Sequence, residues 1–106
     1  FDNVEWSRAL EKELAEELSR MMVANVSSGV ASGARIDGVE VAGKTGTAEN
    51  GGKPYSLWFT GFAPASDPQI AVAVVIENGG GQGKAGSGNA IAAPIAKRVM
   101  EAVLNK

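Results

Sequence analysis

Four consecutive residues, Lys44, Thr45, Gly46 and Thr47, bring together the most useful chemical groups of this chain. The lysine supplies a positive charge, the threonines supply hydroxyl groups, and the glycine leaves room for another molecule to approach closely. Alternating apolar residues precede them, which predicts that they lie on a β-strand. We therefore predict a strand edge that holds an anionic, extended ligand.

The composition excludes several kinds of chemistry. The 106-residue chain contains neither histidine nor cysteine, which rules out His-based catalytic triads, thiolate metal sites and disulfides. Its net charge is −2 and it has no basic run, so we expect no nucleic-acid partner. We expect no metal and no other cofactor. The length allows one domain with a modest core.

The first predicted element is a helix over residues 3–26. Asp2 and Glu5 have the spacing of a capping box, and Phe1 and Trp6 have that of a hydrophobic staple. A stripe of large apolar residues at helical period supports this prediction: Leu10, Leu14, Leu18, Met21 and Met22.

The sequence predicts three strands in the middle of the chain, at residues 39–47, 55–63 and 70–76. It predicts a helix at the end, over residues 89–104, with Asn89 as its N-cap. Short links between the strands favour antiparallel neighbours. The predicted fold is therefore α+β, a three-stranded antiparallel sheet with an N-terminal and a C-terminal helix. The final helix is supported by apolar residues at intervals of four: Ile91, Ile95, Val99 and Val103.

One face of this sheet is predicted to lack a cover within the chain. The third strand is apolar without interruption, which is typical of a strand buried on both faces. On the second strand, Trp58 and Phe62 alternate with Leu57 and Phe59, so large side chains point both ways. Two helices cover one face of three strands. We therefore expect an upstream part of the domain, or another chain, to cover the other, with Trp58 and Phe62 as core or interface residues.

Three glycine-containing motifs have competing interpretations. Residues 38–45 match the P-loop pattern, but a strand-like segment lies inside the supposed loop and no helix is predicted after it. Residues 81–86 match G-x-G-x-x-G and are predicted to form a connecting loop, because no further parallel strand follows. Ser87, Gly88 and Asn89 match S-x-N and are interpreted as a loop end and a helix cap.

The chain resembles the class B penicillin-binding proteins, and within that family its actinobacterial members. Residues 44–49 resemble the K-T-G-T-A-E box of the family, and the segments at 56–64, 70–78 and 92–95 follow in the family's order. The resemblance extends over residues 14–106, whereas residues 1–13 are interpreted as divergent or foreign. It implies that residues 1–106 are the C-terminal segment of a transpeptidase domain with the penicillin-binding, β-lactamase-like fold.

The resemblance also implies a reaction and a set of roles. Family members attack the D-Ala-D-Ala end of peptidoglycan stem peptides with a serine, and β-lactams acylate that serine. Lys44 would bind the ligand carboxylate, Gly46 would leave room, and Thr45 would pack inward or hydrogen-bond there. Thr47 would offer its hydroxyl to the carboxylate and its backbone N–H to the oxyanion hole. Lys44 and Thr47 would point to opposite sides of a regular strand, yet both are expected to reach the ligand. We therefore expect a twist or bulge there.

The chain departs from the family at the nucleophile. The family's serine and a lysine come from S-x-x-K, and no serine here is followed three residues later by lysine. That motif is expected upstream of Phe1, so the chain alone is predicted to be inactive. The parent protein is expected to be extracytoplasmic and anchored to the membrane. The alternatives are a non-enzymatic scaffold or engineered chimaera that retains the family strands and, more weakly, a P-loop nucleotide binder.

Overall fold

A computed structural model describes residues 4–81 and 86–106. Its main elements follow the predicted order of helix, three strands and helix: α1 (Lys12–Ser27), β1 (Ala42–Asn50), β2 (Lys53–Ala63), β3 (Ile70–Ile76) and α2 (Ala93–Leu104). A short 3₁₀ segment at Ser32–Ala34 and a turn at Glu77–Gly81, in which Asn78, Gly79 and Gly80 have positive φ, connect them, and a turn of π-helix, Gly88–Ala92, leads into α2.

The sheet is antiparallel with the strand order β1-β2-β3, which confirms the predicted fold class. β3 has the predicted bounds and β2 begins two residues earlier than predicted, whereas β1 has the predicted length but lies three residues later in the chain, because only two residues separate β1 from β2. These residues, Gly51 and Gly52, have φ values of 57° and 87°. Two residues at positive φ form the type of turn that joins twisted strands directly, so the strands continue to the end of the hairpin.

The first helix begins nine residues later than predicted, at Lys12 instead of residue 3. Residues 4–11 have no regular secondary structure, and Trp6 is 95% exposed. The predicted capping box and staple involve Phe1 and Asp2, which lie outside the described residues. Capping signals stabilise a helix only slightly, and most helical stability comes from packing an apolar face. Residues 4–11 are exposed, so the capping signals alone do not determine where the helix begins.

The large apolar stripes of both helices face away from the core of this chain. On α1 most of the stripe is exposed, Met22 is half-buried and only Val26 is buried. On α2 the residues at intervals of four are exposed, and smaller or flexible residues pack against the sheet instead. The exposed residues are Leu14, Leu18 and Met21 on α1 and Ile95, Val99 and Val103 on α2. The periodicity therefore predicts that both helices form, but not which face of each helix packs against the sheet of this chain.

The core centres on Phe59, which is 1% exposed and points toward the helices. Its ring lies over Gly43 and Gly61, which are paired across β1 and β2. A Cβ at Gly43 would lie 2.5 Å from Phe59 Cζ, and one at Gly61 would lie 2.8 Å from Phe59 Cε1. Both distances are too short for a real side chain, so these two glycines create the space that the ring fills.

The start of the second helix differs from the prediction. Ser87 Oγ accepts a hydrogen bond from the Ala90 N–H at 3.1 Å and caps the π-helical turn. The predicted cap, Asn89, instead turns its side chain toward the 3₁₀ segment that contains Ser32 and Gly33. S-x-N is thus a loop end and a cap, but the serine is the capping residue.

Candidate ligand-binding edge of the sheet

The pairing of β1 with β2 places the four candidate residues on alternating sides. Lys44 pairs with Thr60 and Gly46 with Trp58, on the sheet face away from the helices, which we call the open face. Thr45 and Thr47 belong to the helix-covered face. The pairing is continuous from Ala42 to Ala48 and shifts only between Ala48 and Asn50. Of the twist or bulge expected within residues 44–47, the bulge is therefore ruled out, because the ladder stays regular through these positions.

The open face carries the exposed apolar surface that the sequence predicts. Trp58 and Val75 are paired across β2 and β3, and each is 45% exposed. Other strand residues of this face on β2 and β3 are also exposed or half-buried: Thr60, Phe62, Ala71 and Ala73. Residues 70–76 are thus half-buried toward the helices and exposed on the other side, rather than enclosed on both faces by this chain.

β1 is an edge strand, and side chains show which of its backbone groups face the edge. Asn25 Nδ2 donates to the Gly43 carbonyl at 3.3 Å, and Lys44 Nζ donates to the Thr45 carbonyl at 2.6 Å. The Ala42 carbonyl instead lies against Gly61 of β2. Backbone groups of alternate residues in an antiparallel strand point the same way. The N–H and C=O of Thr47 therefore face the edge that β2 leaves open.

Gly46 differs from the other glycines of this sheet because nothing around it requires a glycine. A Cβ there would approach Trp58 Cβ at 3.4 Å, an ordinary contact, and Gly46 is not among the glycines with positive φ. Gly43 and Gly61 are required by the Phe59 ring. The absence of a side chain at Gly46 thus leaves the open face clear beside Lys44, which is itself exposed.

The competing motif interpretations do not fit this geometry. Lys44 and Thr45 lie inside a paired strand, so the P-loop interpretation is wrong: its lysine would need to open a helix. The G-x-G-x-x-G motif lies largely outside the described residues. Among residues 4–81 and 86–106, no acidic cluster could hold a metal ion. Within the same residues, neither helix has the length and apolar character needed to cross a bilayer.

Two contacts behind β1 were not predictable from their sequence context. Asn25 is a polar residue near the end of a helix, yet its amide group reaches β1. Gly88 is buried against the sheet, where a Cβ would lie 2.6 Å from the Trp58 carbonyl oxygen and 3.0 Å from that of Gly46. The S-x-N match draws attention to Gly88 but gives no indication of this contact.

Comparison with known proteins places these features in a family. A model of the penicillin-binding protein transpeptidase domain matches residues 3–101 of this chain. The chain therefore belongs to the penicillin-binding protein transpeptidase family.

Individual relatives agree with this assignment. The peptidoglycan D,D-transpeptidase PbpA of Mycobacterium tuberculosis H37Rv is 44% identical over 101 residues, which cover 92% of this chain and 20% of the relative. PbpA of Mycolicibacterium smegmatis is 43% identical over 103 residues, which cover 93% and 21%. The similarity to mycobacterial members that the motifs indicate is thereby confirmed. The chain spans about a fifth of the length of these curated relatives.

Solved structures show the same arrangement of elements. The ceftriaxone acyl-enzyme complex of penicillin-binding protein A from M. tuberculosis superposes with a TM-score of 0.85 at 41% identity, covering 93% of this chain and 23% of that one. The transpeptidase domain of FtsI4 from Legionella pneumophila gives a TM-score of 0.78 at 31% identity, covering 90% and 37%. The sheet and helices described above are thus part of the penicillin-binding fold.

Proposed function

We propose that this chain forms one wall of the acyl-transfer site of a peptidoglycan D,D-transpeptidase, and that it binds the D-Ala-D-Ala end of stem peptides and β-lactams. The observation that carries this proposal is the combination found on β1. Lys44 and the unobstructed Gly46 lie side by side on the open face, next to an edge toward which the backbone groups of Thr45 and Thr47 point. An extended ligand can add to such an edge as a further strand.

The regular strand also explains how Lys44 and Thr47 could serve one ligand. A peptide that adds to the edge lies beside β1 rather than on either face. The Lys44 side chain can then reach it from the open face and the Thr47 hydroxyl from the helix-covered face, without a bulge. The Lys44 ammonium, which donates to the Thr45 carbonyl, would turn to the ligand carboxylate. Thr45 is half-buried, which supports its proposed role of packing inward or hydrogen-bonding there.

The proposed reaction needs a nucleophile from outside this sequence. A serine oxygen would bond to the carbonyl carbon between the two D-alanines, and the terminal D-alanine would leave as an amine with the serine proton. An amine of a neighbouring stem peptide would then bond to the same carbonyl carbon, and the serine oxygen would leave with a proton from that amine. The Thr47 N–H would stabilise the oxyanion in both steps. Serine and lysine of S-x-x-K are proposed to come from an upstream part of the domain.

That upstream part would also cover the apolar surfaces that this chain leaves exposed. They comprise the open face and the outward stripes of α1 and α2. Apolar surfaces of this extent are typical of interfaces rather than of a free monomer. We propose that residues 1–106 are the C-terminal segment of the domain and that the parent protein is extracytoplasmic and membrane-anchored.

The proposal is tested with a hybrid protein, in which this chain replaces the segment of M. tuberculosis PbpA that it matches. A fluorescent penicillin is expected to label the hybrid covalently and to leave the isolated chain unlabelled. The matched control is the hybrid in which the serine of the PbpA S-x-x-K motif is changed to alanine. A folded hybrid that takes no label contradicts the proposed function, and a labelled isolated chain contradicts the assignment of the missing serine.

Changing Lys44 to glutamine in the hybrid is expected to slow acylation about tenfold. A hydrogen bond to a charged group contributes about 1.5 kcal/mol or more, and each 1.4 kcal/mol corresponds to roughly a tenfold change in rate. Stopped-flow measurement with the same penicillin gives the second-order rate constant. Lys53, exposed at the start of β2, provides the control, because Lys53→Gln removes the same charge away from residues 44–47. Equal rates for the two variants would contradict the role of Lys44.

A further inference from the structure

A π-helical turn lies directly behind the candidate site. Gly88 opens this turn and is buried against the backbone of β1 and β2. A Cβ at Gly88 would lie 2.6 Å from the Trp58 carbonyl oxygen, 3.0 Å from the Gly46 carbonyl oxygen and 3.2 Å from the Gly46 nitrogen. The turn therefore contacts Gly46 through backbone atoms on the helix-covered side. A displacement of the turn would be passed on to β1 at this point, because close-packed atoms transmit strain.

Asn89, the next residue, fixes the turn to a distant part of the chain. Its Oδ1 accepts a hydrogen bond from the Gly33 N–H at 2.7 Å, and its Nδ2 donates to Ser32 Oγ at 3.3 Å. The two segments are also in close backbone contact, since a Cβ at Gly33 would lie 2.5 Å from the Asn89 carbonyl oxygen. The Ser87 side chain, by contrast, bonds locally among the described residues, where its Oγ accepts from the Ala90 N–H.

We propose that Asn89 is a positioning residue for the ligand-binding strand. Asn89 fixes the π-helical turn to the segment at Ser32 and Gly33 and so holds Gly88 against Gly46. This contact determines the positions of the backbone N–H and C=O groups of Thr45 and Thr47 at the strand edge. This inference rests on the proposed function, because it assigns Asn89 a role in acylation. Asn89 itself lies on the helix-covered side, contacts no ligand and acts only through the turn.

The geometry distinguishes this role from a purely structural one. If Asn89 only stabilises the fold, its loss lowers the melting temperature and leaves the acylation rate of the remaining folded molecules unchanged. If it positions β1, the rate at saturating penicillin falls, because the Thr47 N–H contributes most when charge develops on the oxyanion. Displacements of about 1 Å cost up to roughly 10²-fold in rate, and the smaller shift allowed by the remaining backbone contacts predicts about tenfold.

The test compares variants of the hybrid protein. Asn89→Ala removes both hydrogen bonds and is expected to lower the limiting acylation rate constant about tenfold. Asn89→Asp keeps an oxygen that accepts from the Gly33 N–H, and the Ser32 hydroxyl can donate to its other oxygen, so its rate is expected to remain near that of the unsubstituted hybrid. Ser32→Ala removes only the 3.3 Å bond and is expected to behave like Asn89→Asp.

Each outcome bears on the inference separately from the proposed function. A wild-type rate for Asn89→Ala, or a rate for Asn89→Asp as low as that for Asn89→Ala, overturns the positioning role whatever happens to the melting temperature. If Asn89→Ala does not fold, Asn89→Ser is measured in its place. The shorter serine side chain keeps a hydroxyl but cannot bond to both Gly33 and Ser32. No labelling of the unsubstituted hybrid overturns the proposed function itself and the inference with it.

Discussion

Replacing Gly46 with alanine is expected to lower the acylation rate of the hybrid about 100-fold while leaving its stability unchanged or slightly raised. The added methyl group fits this chain, since its nearest contact would be Trp58 Cβ at 3.4 Å. Replacing a glycine where the backbone tolerates alanine stabilises a protein by roughly 0.4–1 kcal/mol. The same methyl group projects from the open face beside Lys44, where it would shift the part of the ligand that Lys44 reaches. A misplacement of 1 Å costs about 10²-fold in rate.

The matched control is the same substitution three residues earlier in the strand. Gly43→Ala places its methyl group 2.5 Å from the Phe59 ring and is expected to cost roughly 1–3 kcal/mol of stability through overpacking. Penicillin labelling and thermal unfolding of both variants separate the two effects. The interpretation of Gly46 fails if Gly46→Ala is acylated at the wild-type rate, or if it destabilises the protein as much as Gly43→Ala does.

Replacing Phe59 with alanine is expected to cost about 3–5 kcal/mol, which is a large part of the stability of an ordinary domain. Phe59 is 1% exposed and has the largest volume among the fully buried side chains of the described residues. Its ring occupies the space above the paired glycines 43 and 61. Alanine would leave a cavity there, because the strands on either side cannot close over it. Denaturant unfolding of the hybrid measures the loss.

A double-mutant cycle tests whether Phe59 and Gly43 depend on each other. Gly43→Ala is expected to cost less in a Phe59→Leu background than in the wild type, because the atoms that the new methyl group would meet most closely belong to the ring. Residues in direct contact couple by roughly 0.5–3 kcal/mol. Thr60→Ala, a change at an exposed neighbour of Phe59, provides the control and is expected to be additive with Gly43→Ala. Strict additivity in both backgrounds would refute the packing argument.

The elements that the sequence predicts well are those whose determinants are local. The strand over residues 70–76 is bounded by turn-forming residues and composed of β-formers, and the structure reproduces its bounds. The alternation on β2 correctly separates Trp58 and Phe62 from Leu57 and Phe59. The exposed open face could likewise be predicted, because two helices cover one face of three strands and the large side chains of β2 point to both faces. The K-T-G segment and its strand could be identified from residue types and order alone.

The features that sequence reasoning missed depend on contacts between distant residues. A capping box at the start of the chain suggested an early helix, but residues 4–11 are exposed and not helical. The stripes on α1 and α2 indicate that these helices have apolar partners, but not that the partners lie outside this chain. Asn89 has the residue type of a helix cap, yet its side chain binds residues more than fifty positions away. Local propensity contains no information about such a contact.

The regular pleat of β1 restricts how the length of this chain can change during evolution. Inserting or deleting a single residue between Ala42 and Ala48 would move side chains from one face of the sheet to the other. The lysine would then point to the helix-covered face, where the threonines now point. The irregularity between Ala48 and Asn50 and the exposed turn after it can absorb extra residues without that exchange. We therefore expect natural variation in length to be absent from the ligand-binding edge and to concentrate in the hairpin tip a few residues beyond it.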